Sequence, residues 1–163
     1  VARHDGSWTH MDKAFKRAEG LLENWMKEHH DKDCYPPTII NITDGEYNGT
    51  SYDEMQQLAN QLKSMFTNDG NVLLFNIHVV PEHAESVVFP ATADELNGNG
   101  YGKKLYEMSS LLPLNYNEQI RNIFGDKQAD IRYHAMGVNT GMERLVKMMK
   151  IGTLSRMLAN QNP

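Results

Sequence analysis

The chain has 163 residues with a formal net charge of −5, and it is 40% hydrophobic and 23% charged. These values are ordinary for one globular domain, so we expect a single domain over 1–163. The net charge argues against nucleic acid or an anionic membrane as a partner, because both attract basic surfaces. The single cysteine, Cys34, cannot form an intrachain disulfide, which favours a cytoplasmic protein.

Helical and extended patterns alternate along the first half of the chain. The predicted elements are a helix beginning after Thr9, a strand over 38–43, a helix over 52–66 and a strand over 71–80. The strand over 38–43 is apolar and β-branched, which predicts burial, and Asp44 begins a turn at its end. The strand over 71–80 is apolar almost throughout, which is typical of a parallel strand buried on both faces.

The second half continues this alternation with weaker signals. We predict a short strand over 86–89, a helix over 105–112, a turn or helix over 118–124, a strand over 131–138 and a closing helix over 141–158. The glycine-rich segment 97–102 is predicted to be a flexible turn rather than a phosphate loop, because no strand directly precedes it. Together the elements predict a doubly wound α/β fold with a mainly parallel sheet flanked by helices.

Asp44 and Thr9 are the candidate functional residues. Ligands of open α/β sheets bind beyond the carboxyl ends of the strands, which is where Asp44 is predicted to lie. A carboxylate at this position can be a metal ligand, a phosphoacceptor or a catalytic base. Because Mg²⁺ prefers hard oxygen ligands, a threonine hydroxyl can join the carboxylate. Asp44 can equally be an Asp-Gly turn residue and Thr9 a helix N-cap.

Two segments carry a resemblance to a known family. The segment GSWTHM (6–11) resembles the G-x-x-T-P-M segment that opens a helix in von Willebrand factor A-type domains, with His10 in place of the usual proline. The segment IINITDGE (39–46) is similar to the strand and T-D-G turn of the same family. Later segments, LLFNIHV, LYEMSSLLP and KIGT, resemble a bacterial branch, so the likeness spans about 6–153.

The resemblance implies a Rossmann-like protein-binding module, not an enzyme, with a metal-ion-dependent adhesion site for Mg²⁺ or Mn²⁺. In that site Thr9 matches the threonine of the second loop and Asp44 the aspartate of the third. The D-x-S-x-S motif of the first loop does not occur in this chain. The resemblance therefore implies a partial domain that lacks its N-terminal strands and binds metal weakly or not at all.

The implied partner is a protein whose acidic side chain completes the coordination of the cation. The strand missing by resemblance would lie beside 38–43, so we expect dimerisation or swapping through that exposed edge. Two other functions stay open. One is an α/β phosphoacceptor or phosphohydrolase-like domain with Asp44 as the key carboxylate, and the other is a degenerate interaction domain that needs no metal.

Overall fold

Strands and helices alternate along the chain in a computed structural model that describes residues 10–29, 32–44, 47–80 and 85–153. The helices are α1 (Met11–His29), α2 (Tyr52–Ser64), α3 (Gly100–Met108), α4 (Asn117–Phe124) and α5 (Met142–Gly152). The strands are β1 (Thr38–Thr43), β2 (Phe66–Thr67), β3 (Gly70–Asn71), β4 (Leu73–His78), β5 (Val87–Val88) and β6 (Met136–Val138). No helix of the described residues is long and apolar enough to cross a membrane.

The main sheet has the strand order β1-β4-β6-β5. β1, β4 and β6 are parallel, and β5 is antiparallel to β6. β2 and β3 form a separate small hairpin before β4. The predicted α/β class with a mostly parallel sheet and flanking helices is therefore confirmed. β1 lies at one edge of the described sheet, so its outer side has no neighbouring strand among the described residues.

Apolar side chains fill a layer on each face of the sheet. α1, α2 and α3 cover one face, where the core includes Phe15, Met55 and Leu105. The other face packs Phe75 and Ile151 with residues of α4 and of the segments beside β5 and β6. All six residues of β4 are buried, because helices cover the strand on both faces. The prediction of a doubly covered strand is correct, although the strand is shorter than 71–80.

The predicted burial of 38–43 is only partly correct. The bounds of the strand agree, but Ile42 is 55% exposed and most of β1 is half-buried. The physical reason is its place at the sheet edge, because periodicity in sequence cannot distinguish an edge strand from a central one.

Several other predicted bounds need correction. α2 ends at Ser64 rather than at 66, because Phe66 enters the β2–β3 hairpin. α3 begins at Gly100 rather than at 105, so the predicted flexible turn over 97–102 is wrong in its second half. β6 is limited to Met136–Val138, although His134 makes an isolated bridge with Leu111. α5 ends at Gly152, and the rest of its predicted range, 154–158, lies outside the described residues.

A polar network crosses the middle of the sheet at Asn76, which is fully buried in β4. Its side-chain amide donates to the Leu105 carbonyl oxygen at 3.2 Å and to Ser109 Oγ at 3.0 Å. Its own oxygen accepts from Asn41 Nδ2 at 2.8 Å. The network therefore ties β1 and β4 to the end of α3, and its buried polar atoms are satisfied.

Candidate functional site

Asp44 is exposed and directly follows the last residue of β1. Thr43 is in register with His78, the last residue of the parallel strand β4. The Thr43 carbonyl oxygen accepts a hydrogen bond of 2.8 Å from Val79 N. Asp44 is thus held at the carboxyl edge of the parallel sheet, where ligands of α/β folds bind.

The beginning of α1 lies beside the segments that flank Asp44. Met11, its first residue, contacts β1, with Sδ 3.7 Å from Asn41 Nδ2. A β-carbon added to Gly49 would lie 3.4 Å from the His10 ring, so this ring packs closely on the segment that follows Asp44. Thr9 itself lies outside the described residues. The two residues that follow it, His10 and Met11, contact Gly49 and Asn41 respectively.

The segment after Asp44 leads into a well-defined helix start. Ser51 Oγ accepts from Glu54 N at 3.2 Å, and the Glu54 carboxylate accepts from Ser51 N at 3.0 Å. This reciprocal pair is a capping box, which fixes the first turn of α2. The hydrogen bond from the Ser51 backbone lowers the pKa of Glu54 below its ordinary value. The end of the segment is therefore held by local hydrogen bonds.

A polar and aromatic cluster adjoins Asp44 at the end of β4. His78 is buried, and its Nδ1 lies 3.1 Å from Asn99 Nδ2. Asn99 Oδ1 also accepts from Gly102 N at 2.7 Å, which caps α3. The Tyr101 ring lies edge-on to His78 at 5.2 Å and 5.7 Å from the Tyr47 ring. Sequence reasoning missed this cluster, although an asparagine before the α3 periodicity was an available N-cap signal.

The residues present fit a divalent cation only in part. The exposed carboxylate of Asp44 is a suitable hard ligand, and by resemblance Thr9 adds a hydroxyl. Among the described residues, no three His, Cys, Asp or Glu side chains are grouped so that they could hold a metal ion. Val79 and Asn139, which follow the neighbouring parallel strands, carry no carboxylate. The described residues, with Thr9 added by resemblance, therefore offer too few ligands for tight binding of Mg²⁺.

No family model, curated protein or solved structure matches this chain. Any functional conclusion therefore depends on the residues themselves.

A second group of titratable residues lies away from Asp44, where α2 ends. Lys63 Nζ is 3.5 Å from the Ser109 carbonyl oxygen, and the His134 and Tyr106 rings are 3.8 Å apart. Burial, and then the charge of Lys63, lower the pKa of His134 below its ordinary value. Burial also lowers the pKa of Lys63. Each group therefore binds its proton less tightly in the folded state than in the unfolded chain.

This arrangement predicts a loss of stability in mild acid. Below about pH 6.5 His134 is protonated in the unfolded chain but not to the same extent in the folded chain. The free energy of unfolding should therefore decrease as the pH is lowered. Denaturant unfolding at several pH values between neutral and mildly acidic conditions measures this effect. His134→Gln should remove the contribution of this residue to the pH dependence of the free energy of unfolding. Lys63→Gln should make that contribution smaller. An identical slope in wild type and His134→Gln would contradict the assignment.

Proposed function

We propose that this chain is a protein-binding module of the von Willebrand factor A type, in which Asp44 and Thr9 contribute oxygen ligands to a divalent cation. An acidic side chain of the partner completes the coordination. The observation that supports the proposal most is the contact of the first residues of α1 with β1 and with the segment after Asp44. The two residues that follow Thr9 in the sequence, His10 and Met11, contact Gly49 and Asn41 respectively, which is consistent with a shared site for Thr9 and Asp44.

The exposure of Asp44 fits this function because an incoming carboxylate needs an accessible cation. The protein supplies a negative group at the carboxyl edge of the sheet and needs no nucleophile or general base. Since one carboxylate and one hydroxyl are few ligands, we expect weak affinity for Mg²⁺ or Mn²⁺, on the order of millimolar. An acidic ligand and the cation should then strengthen each other's binding, because binding linkage is reciprocal.

Calorimetric titration with Mn²⁺ tests the cation site. Wild type should bind weakly, and Asp44→Asn and Thr9→Val should each abolish the measurable heat. Asp126→Asn, which changes an exposed aspartate after α4, is the matched control and should bind as wild type does. Equal binding by wild type and Asp44→Asn would refute the role of Asp44.

A second titration tests the acidic partner. With Mn²⁺ present, a short peptide that contains one aspartate should bind more tightly than the same peptide with asparagine, and chelation should remove the difference. Binding that ignores both the chelator and the aspartate would favour a metal-independent interaction domain instead. A stable phosphoryl adduct at Asp44 after incubation with acetyl phosphate would favour the phosphoacceptor alternative.

A further inference from the structure

A cavity of about 390 Å³ lies beside the last turn of α1, within the size range typical of sites for small ligands. Its other walls are the link 32–34, which leads to β1, and the β2–β3 hairpin, which leads to β4. Leu73 N at the start of β4 donates to the Pro37 carbonyl oxygen at 3.3 Å. The cavity therefore lies at the amino ends of these parallel strands, whereas Asp44 follows the carboxyl end of β1. Because β4 pairs with the inner edge of β1, a further strand on the outer edge would lie on the opposite side of β1 from the hairpin.

Aromatic rings form much of the wall of this cavity. Trp25 and His29 are four residues apart, so they share one face of α1. Their rings stack with centroids 4.3 Å apart and an angle of 12° between the planes. Phe66 lines the cavity from the hairpin, and its side chain is 70% exposed, so much of its ring surface is open to a ligand. The faces of aromatic rings carry negative partial charge, so these walls attract a cation.

Two polar side chains of the cavity offer hydrogen-bond acceptors. His29 Nδ1 lies 2.7 Å from the Trp25 carbonyl oxygen. Since a carbonyl oxygen only accepts, Nδ1 carries the proton, and Nε2 is an acceptor in the neutral ring. Asn68 Nδ2 donates to Asp33 Oδ1, and Cys34 N donates to Asn68 Oδ1 at 3.4 Å, so the carboxylate is held beside the hairpin. The other oxygen of Asp33 has no hydrogen-bond partner in the part of the chain that the structure describes. A ligand that donates hydrogen bonds or carries positive charge fits these acceptors.

We propose that this cavity binds a small organic ammonium ion, with the positive group against the rings of Trp25 and Phe66 and the Asp33 carboxylate as its counterion. Aromatic rings are the surroundings that recognise quaternary and methylated ammonium groups in proteins. An anion would instead meet the ring faces and the carboxylate. The proposal does not depend on the cation site at Asp44, because that site lies at the other end of β1.

Lys32 makes the sign of the ligand's charge testable. It lines the same cavity and is exposed. Its ammonium group repels a cationic ligand and attracts an anionic one. Lys32→Ala should therefore tighten the binding of an ammonium ion severalfold, whereas it would weaken the binding of an anion. Because the position is exposed, the substitution should change the stability of the fold little.

Titration with choline, followed by NMR, tests the site. The indole N–H signal of Trp25, assigned by its loss in Trp25→Leu, should shift on binding with a Kd on the order of millimolar. The matched control ligand is the neutral alcohol in which a tert-butyl group replaces the trimethylammonium group. It has the same shape without the charge, so it should bind about tenfold more weakly. Equal binding of the charged and neutral compounds overturns the proposal.

Substitutions in the cavity wall test the assigned contacts. Asp33→Asn and Phe66→Leu should each weaken choline binding by about threefold or more, because one removes the counterion and the other a ring. Asp53→Asn, at an exposed position in the first turn of α2, is the control for charge. Tyr35→Leu removes a ring that is 55% exposed near the cavity but does not line it. Both controls should bind choline as wild type does.

Loss of binding is separable from failure to fold. Circular dichroism first establishes that each variant keeps the wild-type secondary structure. Folded Asp33→Asn and Phe66→Leu variants that bind choline as tightly as wild type overturn the assigned contacts. If either variant does not fold, the neutral alcohol and Lys32→Ala decide the question.

A short peptide that contains trimethyllysine carries the same head group and distinguishes the two sources of such a ligand. Binding that is tighter than that of choline identifies a methylated protein as the ligand. Binding that is no tighter identifies a free small molecule. If wild type binds neither choline nor the peptide at any accessible concentration, the proposal is overturned.

Discussion

Replacing Asn76 with aspartate is expected to destabilise the fold by about 3–5 kcal/mol at neutral pH, because it leaves a buried charge without a counterion. Asn76 is fully buried in β4, and its amide donates to Leu105 O and Ser109 Oγ. In the variant a carboxylate oxygen would face the Leu105 carbonyl oxygen, so an attractive contact becomes repulsive. Urea unfolding followed by circular dichroism measures the loss.

The pH dependence of this variant's stability distinguishes destabilisation by a buried charge from destabilisation by altered packing. Burial should raise the folded-state pKa of the new carboxyl above its ordinary value of about 3.9. Below about pH 3.9, the ordinary pKa, the carboxyl is mostly neutral in both the folded and the unfolded state, so the stability of the variant should approach that of wild type. The deficit should grow as pH rises through the folded-state pKa.

Asn60→Asp makes the same chemical change at an exposed position of α2 and should alter stability little. A deficit in Asn76→Asp that does not change with pH would show that charge burial is not its cause.

Asn76 also shows where reasoning from the sequence fails. The apolar run over 71–80 correctly predicts a doubly buried strand, because helices on both faces select apolar residues. The same run gives no reason for one asparagine in its middle. Its partners, Asn41 and Leu105, are distant in sequence and meet it only after the chain folds. Long-range polar networks of this kind carry no local pattern.

The candidate site likewise contains one residue that the sequence predicts and neighbours that it does not predict. Asp44 could be placed at a strand end from local signals alone, a β-branched run followed by Asp-Gly, and the structure has it there. Its neighbours could not be predicted. His78 ends another strand, and Asn99 reaches it from the start of α3. The edge position of β1 likewise depends on strand order, which periodicity does not encode.

Phe75→Ala should strongly destabilise the core on the α5 side of the sheet. Phe75 is 1% exposed and meets Phe89 edge-to-face, with ring centroids 6.2 Å apart. Removing a buried ring loses its transfer free energy and leaves a cavity, so we expect a loss of about 3–5 kcal/mol in the free energy of unfolding. Phe66→Ala is the control, because Phe66 is 70% exposed, and it should cost less than about 0.5 kcal/mol.

Gly152 in α5 gives an independent test of the packing around Phe75. A β-carbon there would lie 3.0 Å from two ring carbons of Phe75 and 3.1 Å from Thr38 Cγ2. Gly152→Ala should therefore destabilise wild type by about 1–3 kcal/mol through overpacking. In a Phe75→Leu background the smaller side chain leaves room, so the same substitution should cost less. A double-mutant cycle measures the coupling between the two substitutions. If their effects on the free energy of unfolding are additive, α5 moves away from β4 and the added methyl group does not crowd the Phe75 ring.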